Sequence, residues 1–434
     1  MDRIIHPGGK ISGVVEVPGD KSIAHRALIF GSLCEGEVLI ENLSTADDCA
    51  ATADCLRALG VEMASSGADI IIRGKGLLGL QEPKDILDAR NSGTTIRLLA
   101  GLAAGQPFYT ILTGDDSLKS RPMKRVIDPL RQMGAVILAR KGDSLAPITI
   151  SGRKLNSINL TLPVASAQVK TAILIASLYS SGTSTIVELI PTRDHSERML
   201  RYLGAEFTVS GNTISIRPSS LKARPIFVPG DISSAMFFIV AGLLLPQSHL
   251  EIRNIGLNRT RMGALNVLTE MGADIEIRER GIRNDEPFGD ITVRSTRLKG
   301  IRIEREQIPS LIDEIPILAL AATQAEGKTV ISGAEELRVK ESDRLHGVAS
   351  QLDKMGADVT EVPDGLHING DTALRGATVE SFGDHRLEMT MAIAGLIARG
   401  ETTIKDANAA KVSFPEFYEI LKQTGCTVDE ISEQ

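Results

Sequence analysis

The chain has 434 residues, of which 42% are hydrophobic, 24% are charged and 3% are aromatic, and its formal net charge is −7. This length exceeds what one hydrophobic core supports, so we expect two or three domains. The acidic balance and the scarcity of aromatic side chains exclude a nucleic-acid scaffold, although a cleft can still collect positive charge for a small anion. Four cysteines without a CxxC pair, no signal-peptide core and no apolar run of membrane-spanning length predict a cytoplasmic protein that binds neither membrane nor nucleic acid.

One short motif occurs twice along the chain. Val17-Pro18-Gly19-Asp20 returns as Val228-Pro229-Gly230-Asp231, 211 positions later. Because this offset is half the chain, it indicates a duplication. In each copy an extended segment ends at proline, glycine makes a turn, and aspartate is suited to cap the helix that follows. Lys21 follows the first copy and Ile232 the second, so the two halves differ in charge at this point.

A helical pattern that ends in glycine occurs six times. Glycine just after a helix adopts the left-handed conformation at little cost, so each of these glycines predicts a helix end. The glycines are Gly60, Gly134, Gly204, Gly272, Gly356 and Gly425. The amphipathic helices predicted before them span 48–59, 122–133, 196–203, 261–271, 343–355 and 415–423.

Each repeat also contains a second helix without a polar face, and such helices are normally buried. Their predicted spans are 24–33, 94–104, 169–178, 234–245, 315–322 and 387–398. Six repeats of strands and helices predict an α/β fold. The duplication groups three repeats into each of two similar domains, with the buried helices at their centres. We predict the first domain at 20–228 and the second at 1–19 with 229–434.

Polar residues precede each buried helix. A helix N-terminus collects unsatisfied N–H groups and the positive end of the helix dipole, so it favours phosphate and carboxylate. One such segment alone is usually only a cap. Recurrence at equivalent positions of six repeats, interleaved with lysine and arginine, instead favours an anion-binding cleft. The segments are Gly19–Ser22, Asn91–Thr94, Ala165–Gln168, Asp231–Ser234, Asp313–Glu314 and Gly383–Arg386.

These motifs resemble those of the 5-enolpyruvylshikimate-3-phosphate (EPSP) synthase family. The matching segments are Gly19–Ser22 with Arg26, Asn91–Thr94, Ser120–Pro122, Arg338–Leu345, Gly383–Arg386 and Lys411 with Phe414-Pro415. The resemblance covers nearly the whole chain. It implies two domains of three βαβαββ units each, an inside-out α/β barrel of the enolpyruvyl transferase type that closes on substrate. Glu336 and the segment Pro191–His195 depart from the common pattern and resemble the second, more divergent class of the family.

The resemblance also implies a reaction. A member of this family is a transferase of the shikimate pathway, which supplies chorismate for aromatic amino acid biosynthesis. It moves the enolpyruvyl group of phosphoenolpyruvate to the 5-hydroxyl of shikimate 3-phosphate by addition and elimination, and it releases phosphate. The resemblance further implies a monomer that acts on these two small molecules without a cofactor or a metal, and a phosphoenolpyruvate site that glyphosate occupies.

Roles for individual residues follow from the resemblance, position by position. The implied catalytic residues are Lys21, Asp313, Glu341 and His385. The implied contacts to shikimate 3-phosphate are Lys21, Ser22, Arg26, Ser166, Ala167, Gln168, Arg193, Asp313 and Lys340. The implied contacts to phosphoenolpyruvate are Lys21, Gly93, Arg121, Gln168, Arg344, Arg386 and Lys411. Asp313 and Glu341 look like the acid–base pair.

Elementary chemistry accounts for such an inventory. Addition of a hydroxyl to phosphoenolpyruvate needs one proton delivered to the methylene carbon and another removed from the attacking oxygen, hence two titratable groups. Two alternatives stay open. UDP-N-acetylglucosamine enolpyruvyl transferase shares the fold but lacks the Gly-Asp-Lys-Ser and Arg-Val-Lys-Glu motifs. A non-catalytic anion-binding scaffold of repeats would gain nothing from Asp313 and Glu341, whose charge opposes anion binding.

Overall fold

In the computed structural model, which describes residues 1–431, the chain forms two compact units. The N-terminal unit comprises Gly19–Val228 together with Ile282–Glu286. The C-terminal unit comprises Met1–Pro18, Pro229–Gly281 and the chain from Pro287 onward. The N-terminal unit begins at residue 19, one residue before the predicted start at residue 20. The assignment of residues 282–286 to this unit was not predicted. Both main crossings therefore lie inside the repeated Val-Pro-Gly-Asp motif.

Three buried helices form the centre of each unit, and each helix is named below by its first residue. They are Lys21–Leu33, Gly93–Ala104 and Ala167–Ser177 in the N-terminal unit and Ile232–Leu244, Ile315–Thr323 and His385–Ile397 in the C-terminal unit. Most of their side chains are buried, which agrees with the absence of a polar face in the sequence. All six predicted helices are present. Five of them begin one to three residues earlier than predicted, because residues of the polar segments already form the first turn.

A second set of six helices is amphipathic. They are Asp47–Ala58, Lys124–Gln132, His195–Tyr202, Gly263–Glu270, Arg344–Lys354 and Phe417–Gln423. In every case the predicted glycine is the second residue after the helix, and its φ lies between 85° and 101°. The left-handed helix end predicted from sequence is thus confirmed six times. Shorter helical turns are Asp116–Ser120, Arg140–Asp143, Arg259–Arg261, Ile308–Leu311, Ile312–Glu314, Glu335–Val339 and Ala410–Val412.

Within residues 1–431, six sheets accompany these helices, three in each unit. In every sheet the first two strands are parallel and the third runs antiparallel to the second. In the N-terminal unit the strand orders are Leu221–Lys222 and Ile226–Phe227, Cys34–Glu41, Asp69–Lys75, Glu62–Ser66; Leu87–Asp88, Tyr109–Thr113, Leu145–Ser151, Val136–Ala139; and Asn159–Thr161, Ser184–Val187, Thr213–Ile216, Phe207–Ser210. In the C-terminal unit they are Ser12–Glu16, His249–Gly256, Glu286–Arg294, Asp274–Arg283; Arg302–Ile303, Lys328–Ile331, Gly365–Asn369, Asp358–Val362; and Thr378–Glu380, Thr402–Lys405, Asp2–Ile5, Val428–Ile431.

The strand before each copy of the repeated motif belongs to a different unit from the helix after it. Strand Ser12–Glu16 precedes the Lys21 helix in sequence but pairs with His249–Gly256. Strand Ile226–Phe227 precedes the Ile232 helix but pairs with Cys34–Glu41. Each copy of the motif is therefore the point at which the chain leaves one unit for the other.

Close backbone approach explains the glycine in the first copy. A Cβ atom on Gly19 would lie 2.1 Å from the carbonyl oxygen of Asn42. Asn42 has a left-handed φ of 58°, and Asn254 in the second half has 57°. Asn42 Nδ2 donates to the carbonyl of Val228 at 2.8 Å, and the N–H of Gly230 donates to the carbonyl of Asn254 at 2.7 Å. The two halves thus repeat this local geometry as well as the motif.

Within residues 1–431, none of the helices combines the length and the apolar character that crossing a membrane requires.

Candidate functional site

Lys21 is the first residue of its helix. Asp20 caps this helix, because its Oδ1 accepts from the N–H of Ile23 at 2.8 Å. The ammonium group of Lys21 lies 2.9 Å from Asp48 Oδ2, and the two side chains are only 16% and 9% exposed. The ion pair fixes a cation at the helix N-terminus, where an anion is also favoured by the helix dipole. Asp48 was not among the predicted site residues.

Arg26 is buried one turn further along the same helix. Its guanidinium donates to Ser196 Oγ at 2.7 Å, to Thr171 Oγ1 at 2.8 Å and to the carbonyl of Ser22 at 2.8 Å. The pKa of Arg26 is lowered to about 10, chiefly by burial; the Glu197 carboxylate opposes this shift and the guanidinium of Arg193 adds to it. The oxygen atoms that accept from Arg26 are neutral, so its positive charge stays available to a phosphate.

The segment that carries Arg193 rests on a buried ionic cluster that sequence reasoning missed. Lys170 Nζ lies 3.0 Å from Glu188 Oε2 and 2.6 Å from Glu197 Oε1, and its side chain is fully buried. Glu188 Oε1 accepts from the N–H and the hydroxyl of Thr192 at 3.1 and 2.6 Å. Burial raises the pKa of Glu197. The cluster holds the backbone next to Arg193 in place.

A second support for this segment comes from residues 282–286. His195 Nδ1 lies 2.7 Å from Glu286 Oε1, and both side chains are buried. Arg198 donates to the carbonyl of Asp285 at 2.7 Å. Residues 282–286 thus pack beside Ser196, the residue whose hydroxyl accepts from Arg26. Nothing in the sequence of residues 282–286 predicts this contact.

Gly93 begins the second buried helix of the N-terminal unit, and Gln168 is the second residue of the third, Ala167–Ser177. Gln168 Nε2 donates to Thr94 Oγ1 at 2.9 Å, and Arg97 donates to Gln168 Oε1 at 2.6 Å. A Cβ on Gly93 would lie 2.9 Å from Arg97 Nη1 and 3.4 Å from Arg121 Nη1. Two guanidinium groups therefore flank the backbone of Gly93. Arg97 was not predicted, although its spacing of four residues from Gly93 puts it on the same helix face.

Arg121 and Ser166 complete the predicted residues of this unit. Arg121 is buried, and it donates to Asn91 Oδ1 at 2.6 Å and to Ser117 Oγ at 3.1 Å. Ser166 caps the Ala167 helix by accepting from the N–H of Val169 at 3.4 Å. The structure thus joins Gly93 and Gln168 through Arg97 and places Arg121 beside them.

Arg344 is the centre of the predicted residues in the C-terminal unit. Its guanidinium lies 2.8 Å from Asp384 Oδ2, 2.6 Å from Glu341 Oε2 and 3.4 Å from Asp313 Oδ1. Burial lowers the pKa of Arg344, but these three carboxylates more than offset it and the net direction is upward. Lys340 Nζ lies 3.9 Å from Asp313 Oδ1. Four predicted residues thus form one cluster in which two carboxylates contact cations.

Arg386 lies in the first turn of the His385 helix. Asp384 caps this helix, since its Oδ1 accepts from the N–H of Arg386 at 2.8 Å. Arg386 Nη1 lies 3.6 Å from Glu314 Oε1, and both side chains are buried. His385, the first residue of the helix, is buried as well. Glu314 lay in a predicted polar segment, but no contact with Arg386 was predicted for it.

Lys411 lies exposed on the short turn Ala410–Val412. The two N–H groups at the start of this turn, those of Ala409 and Ala410, donate to Glu388 Oε2 at 2.6 and 3.1 Å. Glu388 belongs to the His385 helix. Glu388 lies in an apolar helix and belongs to none of the motifs found in the sequence, so no role was predicted for it.

The two units differ in what their arrangements can do chemically. The N-terminal unit presents guanidinium groups with hydroxyl and amide partners, together with the Lys21 ammonium group beside Asp48, which suits the binding of phosphate and hydroxyl groups. The C-terminal unit adds the carboxylates of Asp313 and Glu341, which can also accept and release protons.

Comparisons with known proteins identify the family of this chain. The family model of EPSP synthase (3-phosphoshikimate 1-carboxyvinyltransferase) matches residues 5–421. The 3-phosphoshikimate 1-carboxyvinyltransferase of Bacillus pumilus (strain SAFR-032) is 47% identical over 98% of this chain and 100% of its own. The protein of the same name from Synechococcus sp. (strain JA-3-3Ab) is 51% identical over 96% of both chains.

Solved structures give the same result. An EPSP synthase from Acinetobacter baumannii is 40% identical and superposes with a TM-score of 0.88 over 99% of both chains. The enolpyruvyl transferase NikO from Streptomyces tendae is 19% identical, with a TM-score of 0.78 over 99% of this chain and 98% of its own. This second likeness concerns the fold alone.

Proposed function

The chain belongs to the EPSP synthase family, and we propose from this premise how its own residues carry out the reaction. The chain is a transferase of the shikimate pathway that moves the enolpyruvyl group of phosphoenolpyruvate to shikimate 3-phosphate with release of phosphate. Neither the sugar-nucleotide reaction nor a passive scaffold is favoured. The observation that carries the site proposal is the cluster of Asp313 and Glu341 around Arg344.

Shikimate 3-phosphate is bound, in this proposal, mainly by the N-terminal unit. Arg26 and Arg193 attract the phosphate, since the hydrogen-bond partners of Arg26 are neutral. Hydroxyl and amide groups suit a ring that carries hydroxyls. The remaining proposed contacts are Lys21, Ser22, Ser166, Ala167, Gln168, Asp313 and Lys340.

Phosphoenolpyruvate carries a phosphate and a carboxylate, and it therefore needs several cations. The flanking of Gly93 by Arg97 and Arg121 supports its place there, because a bare backbone between two guanidinium groups admits a compact anion. We assign Arg97 to this set beside the residues predicted from sequence. The full proposed set is Lys21, Gly93, Arg97, Arg121, Gln168, Arg344, Arg386 and Lys411.

Asp313 and Glu341 divide the proton transfers. Asp313 is a proposed contact of shikimate 3-phosphate, so it removes the proton from the 5-hydroxyl. Glu341 is bound to Arg344, a proposed contact of phosphoenolpyruvate, so it delivers a proton to the methylene carbon. In the elimination Glu341 takes a proton back from the methyl group as the bond to phosphate breaks, Lys21 donates a proton to the departing phosphate, and the proton held by Asp313 then restores the ammonium group. His385, which lies next to Arg386 in the sequence, is proposed as a further catalytic residue.

The reaction involves small molecules only, and the proposal includes a monomer in the cytoplasm. A phosphate-release assay tests the reaction with phosphoenolpyruvate as donor and either shikimate 3-phosphate or UDP-N-acetylglucosamine as acceptor. We expect release with shikimate 3-phosphate alone. Release with the sugar nucleotide, or binding of both substrates without release, would refute the assignment.

A further inference from the structure

Glu388 is the one charged residue between positions 387 and 397 of the His385 helix. Its side chain is 0% exposed. A buried carboxylate costs folding free energy unless donors satisfy it, and an apolar residue would pack at this depth without that cost. The donors that Glu388 contacts therefore indicate what the residue does.

Among residues 1–431, the three hydrogen-bond partners of the Glu388 carboxylate are all donors. Oε2 accepts from the N–H groups of Ala409 and Ala410 at 2.6 and 3.1 Å, and Oε1 accepts from the hydroxyl of Tyr418 at 2.9 Å. An ionised carboxylate only accepts, so it matches three donors. The two backbone contacts fix the chain just before Lys411.

The outer side of the same loop is held by the N-terminal strand. The N–H of Ala407 donates to the carbonyl of Met1 at 2.8 Å. The guanidinium of Arg3 lies 4.0 Å from the centre of the Tyr418 ring. The turn at Ala410–Val412 is therefore anchored from two directions. Among the hydrogen bonds of residues 1–431, only those of Glu388 join this turn to the His385 helix.

We propose that Glu388 is a positioning residue for phosphoenolpyruvate, because it fixes the position of the turn that carries Lys411 relative to Arg386. Arg386 lies two residues before Glu388 on the same helix, so one rigid element sets the place of both cations. The inference rests on the proposed function, in which Lys411 and Arg386 bind this substrate. It goes further by assigning a role to a residue that itself touches no substrate.

The test compares three substitutions at one position. Glu388→Met fills the space but removes the acceptor, Glu388→Asp keeps the charge but withdraws it by one methylene, and Glu388→Gln keeps an acceptor oxygen in place. We expect the KM for phosphoenolpyruvate to rise about tenfold in the methionine variant and about threefold in the aspartate variant, with near-parental values in the glutamine variant. The KM for shikimate 3-phosphate should stay unchanged in all three.

A control variant and a second background separate positioning from general stability. Ser248→Ala removes another buried acceptor of the C-terminal unit, which holds the N–H of Ile11 at 2.9 Å, and it should leave both KM values unchanged. In a Lys411→Ala background, Glu388→Met should raise the KM for phosphoenolpyruvate no further, because the two residues act together.

Three results would overturn the inference: equal rises for both substrates, no rise in either the methionine or the aspartate variant, or the same rise with Lys411 absent. The aspartate variant carries the comparison if the methionine variant is insoluble. A parent protein that releases no phosphate with shikimate 3-phosphate would instead refute the proposed function, so the two failures are distinct.

Discussion

The N-termini of the Lys21 and Ile232 helices derive from one repeated motif, yet they differ in the charge that they hold. Both are capped by the motif aspartate: Asp20 accepts from the N–H of Ile23 and Asp231 from that of Ser233. In the first copy the cation belongs to the motif, as Lys21. In the second the cation is Arg261, buried 3.3 Å from Asp231 and bound to Ser233 Oγ at 2.5 Å.

This difference separates scaffold from chemistry. The proline, glycine and aspartate set the same turn and cap in both halves, as the matching conformations of Asn42 and Asn254 also show. The residues that carry charge lie outside that shared set, so they are free to differ. The contrast extends to the two units: Arg26 has neutral partners, whereas Arg344 contacts three carboxylates.

The largest effect is expected where the C-terminal unit holds its carboxylates. Asp313→Asn and Glu341→Gln keep the shape of each side chain and remove its proton chemistry. Each should slow turnover ~10²-fold or more while both substrates still bind, the usual scale for loss of a general acid or base. Steady-state rates and calorimetric binding measure this.

The matched control for these variants is Glu335→Gln. Glu335 is an exposed carboxylate that pairs with Arg305 at 2.5 Å. Its substitution should leave turnover unchanged. Near-normal turnover in either Asp313→Asn or Glu341→Gln would return that residue to the role of an ion-pair partner of Arg344.

Converting the first copy of the motif into the second tests the comparison directly. Lys21→Ile should lower turnover about 100-fold, since it removes the cation that we propose stabilises the departing phosphate. The variant also leaves Asp48, which is 9% exposed at its side chain, without the Lys21 ammonium. Stability should therefore fall as well.

The double variant Lys21→Ile with Asp48→Asn separates these two effects. Thermal unfolding should recover because the buried charge is removed, whereas turnover should stay low. Recovery of turnover in the double variant would mean that Lys21 serves the fold alone.

A smaller effect is expected at Gly93. The methyl group of Gly93→Ala would lie 2.9 Å from Arg97 Nη1, so the guanidinium that donates to Gln168 must shift. Such crowding costs about 1 kcal/mol, which corresponds to an approximately fivefold rise in the KM for phosphoenolpyruvate. Glyphosate inhibition should weaken more than substrate binding does. Equal inhibition of parent and variant would contradict this.

An Arg97→Lys variant sharpens the Gly93 argument. The lysine is narrower at its end and can yield to the methyl group, so Gly93→Ala should matter less in that background. If the methyl acts independently of Arg97, the two substitutions will instead be additive.

Local signals explain how much of the fold could be predicted. Gly60 and its five equivalents are confirmed as helix ends because a left-handed residue after a helix is a local requirement. The exchange of strand Ser12–Glu16 into the other half and the docking of residues 282–286 depend on pairings between distant segments. No local pattern contains that information.

The candidate site divides in the same way. Lys21, Arg344 and Arg386 were named through motifs, and the roles of these residues stay predictions. Their partners Asp48 and Glu314 lie 27 and 72 positions away in the sequence, and an ordinary acidic residue carries no sign of the cation that it meets. Arg97 alone could have been found, from its spacing to Gly93.

The smallest expected effect concerns pH and Glu388. Burial raises the pKa of Glu388 above its ordinary 4.5, although Tyr418 and the N–H groups of Ala409 and Ala410 act downward. A carboxyl group whose folded pKa is raised stabilises the fold most below the unfolded pKa, and this contribution is lost as pH rises through the folded pKa. Glutamine does not titrate, so Glu388→Gln should gain stability relative to the parent as pH rises from 4 to 8, by about 2 °C in Tm.

Glu335→Gln supplies a control of opposite sign. The hydrogen bond from Arg305 lowers the pKa of Glu335 below 4.5, so its contribution is present above that value and is lost on acidification. Glu335→Gln should accordingly lose stability relative to the parent as pH rises over the same range, and the shift should be smaller because the pair is exposed. Paired melting curves at pH 4 and 8 measure both differences. Equal pH dependence of Glu388→Gln and the parent would show that the Glu388 carboxyl titrates as in water, and the cost assigned to its burial would then be wrong.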